Sequence, residues 1–161
     1  MWEKFGEFDS VEELNLAAEG QKEEGDEAAL KELAVENGID PDEAEDYMRG
    51  DVDRLATPLM AAMGKLKVEE KHVKCPEIMG DWLGYIKQQC GDDDAMARAV
   101  RRKGKSLEGC IAAILKWSFA HQETVDKKIM AAAGVNASRC TWGCPGMGTA
   151  KKIIKEYYLG K

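Results

Sequence analysis

No apolar run in the 161-residue sequence approaches the roughly eighteen residues that a membrane-spanning helix needs. The first residues, Met-Trp-Glu-Lys, lack the basic and apolar stretches of a secretory signal, so we expect a cytoplasmic location and no membrane partner. The sequence also lacks an alternating apolar–polar stretch of useful length and a convincing internal repeat. These absences argue against an extended β-sheet or a repeat array.

Cysteine is present, but in an odd number. Five cysteines in a chain without a recognisable secretory signal indicate reduced thiols rather than a disulfide framework. We expect Cys90 and Cys110 to pack as small apolar groups. The other three cysteines and His72 are ligand types that zinc prefers, but Cys140 and Cys144 lack the closer spacing of the strongest zinc signals. We therefore predict neither a metal nor a cofactor.

The sequence shows no pattern of side chains that is typical of a catalytic site. His121 is the only histidine besides His72, and no arrangement of serine, cysteine and carboxylate accompanies it. We interpret His121 as a residue at a helix end or in a linker, and we predict a protein without enzymatic activity.

Helix signals recur along the chain. Residues that cap helices precede amphipathic segments at Ser10, Asp26, Asp40, Thr57, Asp92 to Asp94, and Ser106. Apolar residues at spacings of three and four follow, such as Leu55, Leu59, Met63 and Leu66. Two further helices are expected, one opened by Thr124 and one carrying the paired Tyr157 and Tyr158. The sequence predicts an all-α fold, a compact bundle of seven to nine helices with a short acidic helical N-terminal region.

Charge divides the chain in two. Residues 1–53 carry 19 acidic and 4 basic side chains, a balance of −15, whereas residues 54–161 carry 11 acidic and 19 basic side chains, a balance of +8. We therefore predict an acidic helical N-terminal region, 1–53, and a helical core, 54–161. Three interpretations stay open: solvated helix faces, separate surfaces for cationic proteins and nucleic acid, or two regions that face each other.

Basic residues form the candidate contacts to nucleic acid or to a partner. The densest group contains Arg98, Arg101, Arg102, Lys103 and Lys105. Lys151 and Lys152 follow the glycine-rich stretch 143–149, which is weakly similar to the hairpin of helix-hairpin-helix modules. The late aromatic residues are not interleaved with the densest group, so we expect them in the core rather than stacked on bases; they are Trp117, Phe119, Trp142, Tyr157 and Tyr158.

Three segments resemble a known family, the PcfK-like proteins. Residues 101–115, Arg-Arg-Lys-Gly-Lys-Ser-Leu-Glu-Gly-Cys-Ile-Ala-Ala-Ile-Leu, look like the lysine-serine-x-x-x-cysteine…isoleucine-leucine helix of that family. Residues 150–158 look like its terminal helix, which also carries a paired tyrosine, and residues 55–63 resemble the region before them. The similarity covers roughly residues 55–160.

The resemblance implies a protein of mobile genetic elements, encoded on plasmids, integrative elements or phages. Some similar proteins are anti-CRISPR inhibitors of the type II CRISPR effector nuclease, so the expected partner is that nuclease with its guide RNA. Such nucleases hold nucleic acid in positively charged channels, for which an acidic helical surface can compete. The densest acidic candidates are Asp40, Asp42, Glu43, Glu45 and Asp46. The alternative function is a DNA-binding accessory of a conjugative element, and the oligomeric state stays open.

Overall fold

The computed structural model describes residues 1–160, and most of them are helical. Nine helices and one pair of short strands occur in this range, which confirms the all-α prediction. In chain order they are α1 (Val11–Glu23), α2 (Glu27–Glu36), α3 (Pro41–Arg49), α4 (Pro58–Glu69), α5 (Ile78–Asp92), α6 (Asp94–Arg101), α7 (Leu107–Ala120), β1 (Glu123–Thr124), α8 (Lys127–Ala132), β2 (Thr141–Trp142) and α9 (Met147–Leu159). No helix among these is long and apolar enough to cross a membrane.

Side-chain caps fix the starts of most helices, as their local sequences predict. Ser10 Oγ accepts a hydrogen bond from the Glu13 backbone N–H at 3.1 Å, and Ser106 Oγ accepts one from Gly109 at 3.0 Å. The Glu13 carboxylate in turn accepts a hydrogen bond from the backbone N–H of Asp9. The bonds to Ser10 and Ser106 each satisfy a backbone donor that the first helical turn leaves free.

The segment after α7 differs from the prediction. Thr124 does not open a helix but lies in β1, which pairs antiparallel with β2 so that Glu123 faces Trp142. Helix α8 begins three residues later, at Lys127, where Asp126 supplies the cap. Two-residue strands are too short to produce an alternating sequence pattern, so the sequence gives no sign of them.

The buried apolar residues form two clusters. The N-terminal core lies between α1, α2, α3 and the start of α4, and its large members include Leu14, Leu30, Leu33, Tyr47 and Leu55. The main core is built by α4, α5, α6, α7 and α9, and its large members include Leu66, Trp82, Ile86, Met96, Leu107, Ile114 and Ile154.

Helix α4 joins the two cores. Ala61 packs in the N-terminal core, while its neighbour Ala62 and Leu66 pack in the main core. The N-terminal core therefore extends past residue 53 into the start of α4. The acidic first three helices therefore bury a core of their own, which includes the small residues Ala18 and Ala34.

Buried charges tie the first residues of the chain to the junction between the cores. Lys65 on α4 is fully buried, and its Nζ donates to Glu7 Oε1 at 2.6 Å and to the carbonyls of Arg102 and Lys105 at 2.9 and 2.5 Å. Glu69, one turn later, accepts from the backbone N–H of Leu107 at 2.9 Å, and burial raises the pKa of its carboxyl. Every donor of the Lys65 ammonium group thus has an acceptor, as a buried charge requires.

Candidate functional site

The five predicted acidic residues lie at the N-cap and in the first turns of α3, and none of them is buried. Asp40 is the N-cap, and its Oδ1 accepts from the backbone N–H of Asp42 at 3.1 Å. Pro41 occupies the first helical position, where its fixed φ suits the helix and its missing N–H costs no hydrogen bond. The local sequence therefore presents these carboxylates together at one helix end.

Two of the five carboxylates are compensated by nearby cations. Lys31 Nζ lies 2.7 Å from Glu45 Oε1, and this hydrogen bond lowers the pKa of the Glu45 carboxyl. Arg49 pairs with Asp46 and, at 3.8 Å, with Glu45. Glu45 and Asp46 are therefore held in ion pairs, although Lys31 also pairs with Glu27 and Arg49 also pairs with Asp51.

The other three carboxylates keep their charge uncompensated. Asp40, Asp42 and Glu43 form no ion pair with any cation of residues 1–160. Asp40 and Asp42 are exposed, and Glu43 is half-buried. This end of α3 is therefore a compact anionic surface on which these three carboxylates carry a formal charge of −3.

A groove of about 400 Å³ runs from this anionic surface along α4. Asp40 and Glu43 form one edge, and Met60 and Met63 of α4 form an apolar wall. The far end carries Lys67 and the ion pair between Lys87 and Glu70, whose charged atoms lie 2.7 Å apart. We call this feature the acidic groove.

Two glycines set the floor of the acidic groove. Gly38, in the turn between α2 and α3, packs against Gly64 on α4 so closely that a Cβ on either residue would collide with backbone atoms of the other segment. Gly38 also has a φ of +70°, which side chains strongly disfavour. The glycine pair brings the start of α3 against α4 and places the carboxylates beside the methionines.

Sequence reasoning missed the methionine wall. The spacing of Leu59 and Met63 with Leu55 and Leu66 suggested one buried stripe, but Leu59 and Met63 are exposed. The buried face of α4 is instead carried by small residues such as Ala62 and Gly64. The sequence signal for this arrangement is the run of small residues at 61, 62 and 64, which indicates close helix packing.

The predicted basic group is largely engaged inside the molecule. Arg101 is fully buried, where its Nη1 donates to the Phe8 carbonyl at 3.2 Å and its Nη2 donates to Asn37 Oδ1 at 3.1 Å. Burial lowers the pKa of its guanidinium. Arg101 is therefore corrected from a candidate surface contact to an internal one, because no partner reaches its side chain.

Other members of the basic group contact the acidic region. Arg98 pairs with Glu12 and, at 2.6 Å, with Asp94, while Lys103 lies 3.6 Å from Asp9. Together with the pair between Lys65 and Glu7, these contacts favour the interpretation in which the two regions face each other.

The last two members of the group differ from each other. Lys105 Nζ donates to the Tyr157 carbonyl at 2.6 Å, so it is also engaged. Arg102 is exposed and makes no side-chain hydrogen bond or ion pair within the described residues. The group as a whole does not form a free cationic face.

Lys151 and Lys152 lie in the first turns of α9, and both are exposed. Lys151 Nζ sits 4.9 Å from the centre of the Tyr85 ring. Within the glycine-rich stretch 143–149, Gly146 is the N-cap of α9 and provides no side-chain cap. The two lysines stay accessible, in contrast to most of the basic group.

The aromatic residues near the C-terminus divide between core and surface. Tyr158 is buried as expected, but the prediction is wrong for Phe119 and Trp142, whose exposed fractions are 74% and 66%. Trp117 stacks on His121 at 4.1 Å between ring centroids, at the end of α7. The exposed rings follow from the local fold, because the segment between α7 and α9 packs little against the main core.

The cysteines behave as isolated thiols. Cys90 and Cys110 are buried in the main core as predicted, and burial raises the pKa of each thiol to about 12. Within residues 1–160, no three potential ligands among His, Cys, Asp and Glu come together in a way that would hold a metal ion.

Comparison with known proteins gives no relative from which to transfer a function: no protein-family model, no curated protein and no solved structure matches this chain.

Proposed function

We propose that this chain is a non-enzymatic inhibitor that binds a guide-loaded type II CRISPR effector nuclease through the acidic groove. The observation that carries the proposal is the uncompensated anionic surface of Asp40, Asp42 and Glu43 beside the methionine wall, of which Met63 is exposed and Met60 is half-buried. The resemblance of residues 55–160 to PcfK-like proteins supports this class of partner and a role in the cytoplasm of a host that carries a mobile element.

The chemistry of the groove suits a cationic protein segment. Carboxylates can replace nucleic-acid phosphates in a positively charged channel, and close charge pairs contribute to both the rate and the specificity of docking. Methionine side chains are flexible and polarizable, so Met60 and Met63 can adapt to the aliphatic stems of lysine or arginine. The groove therefore offers both charge and apolar contact area.

The alternative of a DNA-binding accessory acting through residues 98–105 is not favoured. Arg101 is buried, and Arg98 and Lys103 are paired with acids of the first helical region. A nucleic-acid backbone would have to displace these internal contacts before it reached the cations.

The test measures binding and cleavage with a purified, guide-loaded type II effector at low and moderate salt. We expect the wild-type chain to bind the effector and suppress target cleavage. The variant D40N/D42N/E43Q removes three charges but keeps an acceptor at the N-cap, since asparagine also caps helices. We expect it to bind at least about tenfold more weakly, with the larger difference at low salt.

The matched control removes three charges elsewhere. Glu19, Glu23 and Glu24 are exposed and form no ion pair within the described chain, so E19Q/E23Q/E24Q changes the net charge by the same amount. We expect its inhibition to stay close to wild type. Full cleavage in the presence of wild-type chain would contradict the inhibitor proposal, and equal losses in both triple variants would contradict the role of the groove.

A further inference from the structure

Residues 116–155 are rich in exposed basic side chains. Seven basic side chains lie in this segment, all of them exposed: Lys116, Lys127, Lys128, Arg139, Lys151, Lys152 and Lys155. The ion pairs found within residues 1–160 all involve earlier residues, up to Lys103. The segment contains only two acids, and Asp126 is occupied as the cap of α8. The segment therefore carries exposed cations that no ion pair within the described residues neutralises.

Exposed rings accompany these cations. Phe119 lies on α7, three residues after Lys116, so the two side chains share a helix face. Trp142 lies on β2, three residues after Arg139. Exposed apolar side chains that form a contiguous patch often mark a binding site.

The fold brings the two rings into one region. Trp142 is followed by Gly143, which packs against the Ser118 carbonyl and the Gln122 amide so tightly that a Cβ would collide with both. Ser118 directly precedes Phe119 along α7. The close approach of Gly143 to α7 therefore places Trp142 near the exposed end of that helix.

We propose that residues 116–155 bind single-stranded DNA, with the cations contacting phosphates and with Phe119 and Trp142 stacking on bases. This combination of basic groups and accessible rings is the one used by proteins that bind single strands without sequence preference. A duplex hides the faces of its bases, so the rings would find no partner there. The proposed contacts are to phosphates and to the faces of bases, and a DNA strand carries both groups. Neither contact uses the sugar 2′ hydroxyl that distinguishes RNA from DNA. The proposal does not depend on nuclease inhibition.

The test is fluorescence anisotropy of a labelled twenty-nucleotide oligo-dT, with the full chain titrated at several salt concentrations. We expect saturable binding that weakens steeply as salt rises, because single-strand binding releases counterions. We expect a duplex of the same length to bind more weakly and an oligo-U strand to bind no more tightly than oligo-dT.

A charge variant and its control test the phosphate contacts. K127Q/K128Q/R139Q should weaken binding and reduce the magnitude of the log-log salt slope by about 2. R54Q/K71Q/K74Q removes three exposed cations that make no ion pair and lie outside the segment, and it should leave binding near wild type. Equal effects of the two variants would overturn the assignment of the surface.

Ring variants test the stacking. W142A should weaken binding by about fivefold to a hundredfold, whereas W142F should retain most of the affinity, because phenylalanine also stacks. Trp142 is exposed, so circular dichroism and thermal unfolding should show that W142A keeps the fold. Absence of saturable oligo-dT binding, an unaffected W142A, tighter duplex binding or tighter oligo-U binding would each overturn the proposal.

Discussion

At the scale of the residue, Arg101 shows how an internal contact can resemble a surface one in the sequence. It stands among four other basic residues between positions 98 and 105, which is typical of a solvated or nucleic-acid-binding helix end. Its acceptors, the Phe8 carbonyl and Asn37 Oδ1, lie 93 and 64 residues away along the chain. No local pattern reports contacts at that separation, so the sequence could not distinguish Arg101 from its exposed neighbour Arg102.

We expect Arg101→Ala to lower the free energy of unfolding by about 2–4 kcal/mol, because it removes two hydrogen bonds and leaves two buried acceptors without a donor. Arg102→Ala is the matched control, since its side chain is exposed, and it should change stability by less than about 0.5 kcal/mol. Urea unfolding followed by circular dichroism measures both. Similar values for the two variants would contradict the internal role of Arg101.

Other residue-scale features were accessible from sequence. Ser10, Asp26, Thr57 and Ser106 were predicted to begin helices, and each accepts a backbone hydrogen bond from two or three residues later in its own helix. A cap and its donor are neighbours in sequence, so the prediction needs no tertiary information. The acidic groove could be predicted only in part. Asp40 and Glu43 were predicted as candidate contacts, but the methionine wall depends on the orientation of α4.

At the scale of the element, α4 is the helix whose orientation the sequence did not predict. Its apolar spacing is compatible with a buried face through Leu59 and Met63, yet the helix turns its small residues inward. The contact between Gly64 and the α2–α3 turn decides the orientation, because only a residue without Cβ permits it. The orientation in turn leaves Met63 exposed in the acidic groove.

Two helical glycines therefore respond oppositely to the same substitution. An alanine is better than glycine in a helix by about 1 kcal/mol, so Gly84→Ala on α5, where a Cβ meets open space, should stabilise the protein by about that amount. Gly64→Ala should destabilise it, because the Cβ collides with the Asn37 carbonyl. Thermal unfolding of the two variants measures the contrast, and an unchanged or raised melting temperature for Gly64→Ala would contradict the close contact.

At the scale of the whole molecule, part of the uneven charge is paired between the two regions of the chain. Acids of the N-terminal region pair with Lys65, Arg98 and Lys103, and the pair of the buried Lys65 with Glu7 lies at the junction between the two cores. Among the unpaired charges, Asp40 and Glu43 lie at the acidic groove, and seven cations lie in the segment 116–155. The net charge of −7 therefore describes neither surface.

The shared helix α4 and the buried junction predict that the two cores unfold together. We expect a single urea transition that coincides when followed by circular dichroism and by tryptophan fluorescence, to which the buried Trp82 of the main core contributes. A fragment of residues 54–161 should be markedly less stable than the full chain. It lacks the N-terminal residues that pack against Leu55 and Ala61, and its Arg101 loses both hydrogen-bond acceptors. Two separate transitions in the full chain would contradict the coupling.

The contact between Arg101 and the Phe8 carbonyl also has a consequence during synthesis. Because 93 residues separate the two partners and ribosomes add about 5–20 residues per second, roughly 5–20 seconds pass between the synthesis of Phe8 and that of its partner Arg101. During that interval the N-terminal core also lacks Leu55 and Ala61 until α4 emerges. The charge of −15 on residues 1–53 gives the unfinished nascent chain a strong self-repulsion, which keeps it soluble until the rest of the molecule arrives.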